Sequence, residues 1–202
     1  MNKFYRKLEV PDFDRIQKTL VPVILDIVGN REHKLRINPF TESEYLRIQQ
    51  QVPELFDSIF QITQSDIQSF VFLYYDENYP TSGTAHSDLV EQDFETGVIP
   101  DYFYRLNWPI LNPESFETVF FRETDSDARY YDEVAGAYKL DETKLERVDT
   151  LVMSSPALVN IKEPHGIYKI EENLPRILLA IRPVDGDSPR LRNLAVGSEH
   201  IS

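Results

Sequence analysis

The chain has 202 residues, of which 41% are hydrophobic and 27% charged, with a formal net charge of −13 and no cysteine. That length suits one domain with a core large enough to fold unaided. The acidic balance disfavours nucleic acid and anionic membranes as partners, and the missing thiols exclude disulfides and thiolate metal sites.

The N-terminal stretch "MNKFYRKLEVPDFDR" has no apolar run behind its basic residues, so it does not read as a secretory signal. The longest apolar run, "LVPVILDIV", is interrupted by Pro22 and Asp26 and is too short to span a bilayer. A cytoplasmic protein is expected. Residues 11–28 read as a helix, or as a helix followed by a strand. "TESEYLRIQQQVPELFDSIFQ" opens with a capping-box pattern, Thr41 and Glu44, and carries apolar residues at helical spacing. Pro53 is expected to break or restart that helix.

Beyond residue 65 the texture changes to short β-branched and aromatic runs separated by turn residues. Eight strands are expected, over 70–75, 84–90, 102–111, 116–123, 149–154, 157–161, 165–170 and 176–184. The fold class is therefore mainly β with N-terminal helices (α+β), and eight strands suit a jelly roll. The segment 124–148 is acidic and contains tyrosines. It reads as a long loop, either a lid or specificity element or a surface excursion. The expected organisation is a single domain over 1–202: helical support over 1–66, a β core over 68–184 and a loosely ordered tail over 185–202.

The chain has four histidines, His33, His86, His165 and His200. His86 and Asp88 are two apart, so on a strand their side chains point to one side. His165 opens the seventh expected strand, and Arg176 follows eleven residues later on the eighth. Two imidazoles and one carboxylate on one face form a facial triad, which leaves coordination positions open and suits non-haem Fe(II). The plain alternative is three unrelated polar residues: His86 at a surface edge, Asp88 capping a turn and His165 in a turn after Pro164. His33 and His200 lie outside the β region and read as exposed side chains.

This ordered set resembles the Fe(II)- and 2-oxoglutarate-dependent oxygenase superfamily over about residues 68–184. That superfamily has a cupin-like double-stranded β-helix of eight strands. It carries His-x-Asp on strand two, a distal histidine on strand seven and a co-substrate arginine on strand eight. The segment "RLNWPILNPESFETVFF" is also similar to one in small oxygenases of this group from bacteria and their phages. The resemblance implies Fe(2+) held by His86, Asp88 and His165. It implies 2-oxoglutarate as co-substrate with O2, and Arg176 gripping its 5-carboxylate through a bidentate fork.

Arg182 shares a strand face with Arg176 and is a second candidate anion ligand, or a strand-end arginine reaching solvent. Asn107 is polar within an apolar strand; it is a candidate to bond the co-substrate or orient a metal ligand, or it makes an ordinary ladder bond. One of Tyr74 and Tyr75 should face inward, and Trp108 reads as core. The implied activity is a dioxygenase that releases succinate and CO2 while hydroxylating an amino acid, a peptide or protein side chain, or a small metabolite. The alternatives are a jelly-roll metal oxygenase that does not use 2-oxoglutarate and a non-catalytic jelly-roll binding module. A small molecule or a peptide or protein is the expected partner, with no nucleic acid and no membrane.

Overall fold

A computed structural model describes residues 4–78, 85–89, 97, 101–133 and 137–197. Four α-helices and twelve strands lie among them. The helices are α1 (Phe13–Gly29), α2 (Glu42–Gln51), α3 (Pro53–Thr63) and α4 (Pro189–Val196). The strands are β1 (Tyr5–Lys7), β2 (Ile37–Pro39), β3 (Ile67–Tyr75), β4 (His86–Ser87), β5 (Tyr104–Leu111), β6 (Phe116–Glu123), β7 (Arg129–Asp132), β8 (Ala137–Leu140), β9 (Leu145–Val152), β10 (Ala157–Asn160), β11 (His165–Lys169) and β12 (Arg176–Pro183).

Each helix follows from local signals. In α1 the buried residues Ile16, Leu20, Val23, Ile24, Ile27 and Val28 recur at helical spacing and form one apolar stripe. The helix runs through Pro22, which is exposed, so the carbonyl it leaves unbonded can turn to water. The structure thus selects helix throughout for this segment. Thr41 and Glu44 make the capping box at the start of α2, with both reciprocal bonds present. Pro53 sits at the first position of α3, where its missing N–H is harmless.

The strands form two antiparallel six-stranded sheets. One has the order β1-β10-β5-β12-β3-β2, the other β7-β8-β4-β11-β6-β9. From β3 to β6 and again from β9 to β12 the chain changes sheet at every connection, which is a jelly-roll winding. The first sheet is buried on both faces. Ile177, Leu179 and Ile181 of β12 join Phe72, Leu106 and Trp108 beneath helices α1–α4. Leu178 and Ala180 point the other way and meet Phe116, Phe120 and Ile167 of the second sheet. Trp108 is fully buried, its indole N–H bonded to Gln17 Oε1 at 3.0 Å. Tyr75 faces the inter-sheet core and Tyr74 packs toward the helices. Pro109 is accommodated inside β5 because β10 pairs only with Tyr104–Asn107, and β5 carries an extra residue, Ile110, beside Pro109 where its register with β12 shifts.

Three expectations need correction. The strand count among the described residues is twelve, not eight: each expected segment contains a strand, and β1, β2, β7 and β8 are additional. The segment 124–148 is not a structureless loop. It holds the β7–β8 hairpin, a 3-10 turn at Glu142–Lys144 and the start of β9. The tail also contains α4, capped by Ser188 and ended by Gly197 in the left-handed region, with Leu191, Leu194 and Ala195 buried. No helix among the described residues is long and apolar enough to cross a membrane.

Candidate metal centre

β4 is only two residues long, His86 and Ser87, and lies between β11 and β8. Its His86 is directly opposite His165 of β11, so both rings stand on the same face of the sheet. Their centroids are 4.6 Å apart. Asp88, the next residue but one, points to that side as well. Ligand atoms of His86, Asp88 and His165 all lie within 4.8 Å of one another. The structure therefore brings together the three residues the sequence singled out. His33 is exposed on the α1–β2 connection, and His200 lies outside the described residues.

The protonation states suit a metal. His165 is 2% exposed, and its Nδ1 lies 2.9 Å from the Glu163 carbonyl. A carbonyl only accepts, so Nδ1 carries the proton and Nε2 keeps its lone pair. Burial, with the facing His86 adding to it, pushes His165 down to about 3, so the ring is neutral. Burial alone would raise the Asp88 carboxyl. The hydrogen bond from His86 and the charge of Arg105 outweigh it and hold Asp88 well below the usual carboxylate range. The donor set is two imidazoles, that of His165 neutral, and one carboxylate on one side, a fit for a divalent ion with positions left open.

Two guanidinium groups reach Asp88 from the opposite sheet. Arg105 Nη1 is 3.1 Å and Arg182 Nη2 3.6 Å from Asp88 Oδ2. Asp88 Oδ1 stays on the histidine side, 3.4 Å from His86 Nε2. Asn107 does not touch Asp88 itself. Its Oδ1 accepts from Arg105 Nε at 2.9 Å and so orients the guanidinium that does. Arg182 also donates to the Leu89 carbonyl at 3.4 Å, so it turns into the site rather than out to solvent. Arg105 was missed as a site residue; the available signal was that it shares a strand face with Asn107.

Arg176 occupies a different place. It is 1% exposed, with its guanidinium 5.3 Å from the Tyr75 ring and 5.5 Å from the Phe116 ring, and its Nε donates to Pro113 O at 3.2 Å. It is six positions from Arg182 along β12, roughly 20 Å of strand. Two arginines on one inward face therefore mark two depths of the space between the sheets.

No protein-family model matches the chain. A sequence search of curated proteins finds no relative. Solved structures do match in fold. The chain is similar to the non-heme alpha-ketoglutarate-dependent epimerase SnoN from nogalamycin biosynthesis, with a TM-score of 0.54 and 10% identity over 89% of this chain and 75% of that one. It also matches HygX from Streptomyces hygroscopicus with nickel and 2-oxoglutarate bound, at a TM-score of 0.42 and 13% identity over 91% and 94% of the two chains.

Proposed function

We propose that this protein is an Fe(II)- and 2-oxoglutarate-dependent dioxygenase, a hydroxylase of an amino acid, a peptide or protein side chain, or a small metabolite. The observation that carries the reading is the convergence of His86, Asp88 and His165, with arginines at two depths behind them. The likeness in fold to an alpha-ketoglutarate-dependent epimerase supports the same class. His86, Asp88 and His165 hold the metal, which when bound supplies the Lewis-acid and redox centre for the 2-oxo acid and dioxygen.

The residues of the chain do the rest. Arg182, beside Asp88, suits the 1-carboxylate end of the co-substrate. Arg176, deeper between two aromatic faces, suits the 5-carboxylate, since a guanidinium stays charged and binds a carboxylate through two parallel bonds. Asn107 and Arg105 keep Asp88 turned toward the histidines. The apolar inner faces of both sheets exclude water from the reacting groups. The β7–β8 hairpin, paired to β4, is the wall that meets the substrate.

The test is direct. The purified protein should bind about one Fe(II) or Mn(II) per chain and convert 2-oxoglutarate to succinate and CO2 under oxygen. The variant combining His86→Ala, Asp88→Ala and His165→Ala should do neither while keeping its circular dichroism. Iron binding at wild-type affinity in that variant would show the ligand assignment to be wrong. Iron binding with no 2-oxoglutarate turnover would leave the metal oxygenase that does not use 2-oxoglutarate or the non-catalytic module.

A further inference from the structure

Asp88 lies just beyond the end of β4, whose strand pairing covers only His86 and Ser87. A ligand at the end of a two-residue strand needs another hold on its backbone, or its carboxylate swings with the chain that follows. That hold comes from the turn joining β10 to β11. The Asp88 N–H donates to Ile161 O at 2.9 Å, and Lys162 Nζ donates to Asp88 O at 2.7 Å. Consecutive residues of one turn thus grip both polar groups of the Asp88 backbone.

The turn itself is fixed. Asn160 Oδ1 accepts from the Phe103 N–H at 2.9 Å and from the Lys162 N–H at 3.3 Å, and the Ile161 N–H donates to Phe103 O at 3.0 Å. Two residues further on, Glu163 O accepts a hydrogen bond from His165 Nδ1–H. Lys162 is 4% exposed. An ammonium group is rarely buried so far without a specific use, because desolvating it is costly.

We propose that Lys162 is the positioning residue of the metal site: through its bond to the Asp88 carbonyl it sets the angle at which the Asp88 carboxylate meets the ion. The inference rests on the metal-centre reading above. The turn Asn160–His165 is then a single template. Its Lys162 and Ile161 orient one ligand and its Glu163 carbonyl orients another. Outer partners of this kind typically change metal affinity 10- to 100-fold when removed.

The experiment uses Co(II), whose visible bands report coordination geometry, titrated into the full chain. Lys162→Met keeps the apolar stem and deletes the donor. It should weaken Co(II) binding about 10- to 100-fold and shift the bands of the bound fraction, and Lys162→Arg should restore part of both. Lys162→Gln, which keeps a polar end, serves if the methionine variant does not fold, and should show the same changes. A role limited to stability would lower the folded fraction but leave the bands of the bound fraction unchanged; that result overturns the proposal, as does unaltered affinity. If wild-type protein binds no Co(II), the metal-centre reading itself fails and Lys162 has no ligand to position.

Discussion

Arg176 and Arg182 stand on one face of one strand in different surroundings, which suits the proposal that they take opposite ends of a dicarboxylate. Arg182 meets Asp88 at 3.6 Å, whereas Arg176 is enclosed by Tyr75, Phe116 and the Pro113 carbonyl. Losing a charge-assisted pair in such a place costs about 2–5 kcal/mol, or roughly thirtyfold and upward in affinity. We expect Arg176→Leu to weaken 2-oxoglutarate binding by that amount, read from the visible band of the anaerobic Fe(II) complex. The same variant should bind 2-oxobutyrate, which has no 5-carboxylate, as wild type does. Arg182→Leu should weaken both. The reverse pattern would exchange the two roles. His165 and Arg176 were marked by the strand order that the superfamily resemblance implies, and the shared face of His86 and Asp88 was legible because strand geometry repeats every two residues. Arg105 and Lys162 were not. Their contacts with Asp88 depend on how the opposite sheet and a turn close over it; the strand face shared with Asn107 marks Arg105 as inward-facing but not what it meets.

At the scale of elements, the segment between β6 and β9 shows what periodicity could not supply. Its acidic and turn residues hide the short β7–β8 hairpin, and β8 pairs with β4 so that Lys139 is opposite His86 and Tyr130 opposite Lys139. Directly opposed residues share a face. A row therefore runs from His165 through His86 and Lys139 to Tyr130, with exposure rising from 2% at His165 to 52% at Tyr130. Lys139 is tied to Asp132 at 2.5 Å. Removing the whole segment would strip β4 of a neighbour and disturb His86, so point substitutions are the cleaner probe. Tyr130→Ala and Lys139→Ala should leave Mn(II) affinity and uncoupled 2-oxoglutarate decarboxylation within about twofold of wild type, a change of under 0.5 kcal/mol. Substrate-stimulated succinate release should fall at least tenfold. Stimulation retained in both variants would place the substrate wall elsewhere. The start of α2 was legible in its capping box, Thr41 and Glu44. Glu44 bonds Arg31 and the Thr41 N–H. Burial would raise its carboxyl, but the bonds from Arg31 and Thr41 outweigh that and hold it below its ordinary value. A carboxyl lowered in the folded state binds fewer protons than in the unfolded one. Its contribution is thus present above the unfolded value and is lost as pH falls through the folded one. Thr41→Ala should cost about 0.5–2 kcal/mol at neutral pH. Glu44→Gln should be destabilising at pH 7 and nearly neutral at pH 3, measured by urea denaturation.

Across the whole molecule, the candidate centre lies where the two sheets meet. His86, Asp88 and His165 belong to one sheet and its margin, while Arg105 and Arg182 come from the other. An ion held by the three ligands therefore fixes a position on which both sheets depend, and it binds the folded chain far better than the unfolded one. At free Mn(II) about 100 times its dissociation constant, linkage gives about 2.7 kcal/mol of added stability. For a chain of this size each kcal/mol moves the melting midpoint by about 2–4 °C. The midpoint should rise by about 5–10 °C and return when EDTA is added. The net charge of −13 complicates a single measurement, because any divalent cation relieves self-repulsion on an acidic surface. That effect is common to the wild type and to the variant lacking all three ligands, and Mg(II) reproduces it. The informative quantity is the difference between the two proteins in Mn(II), corrected by the same difference in Mg(II). We expect nearly the whole shift to disappear with the ligands. Equal shifts in both proteins would mean that Mn(II) acts on the acidic surface and that the junction of the sheets holds no ion.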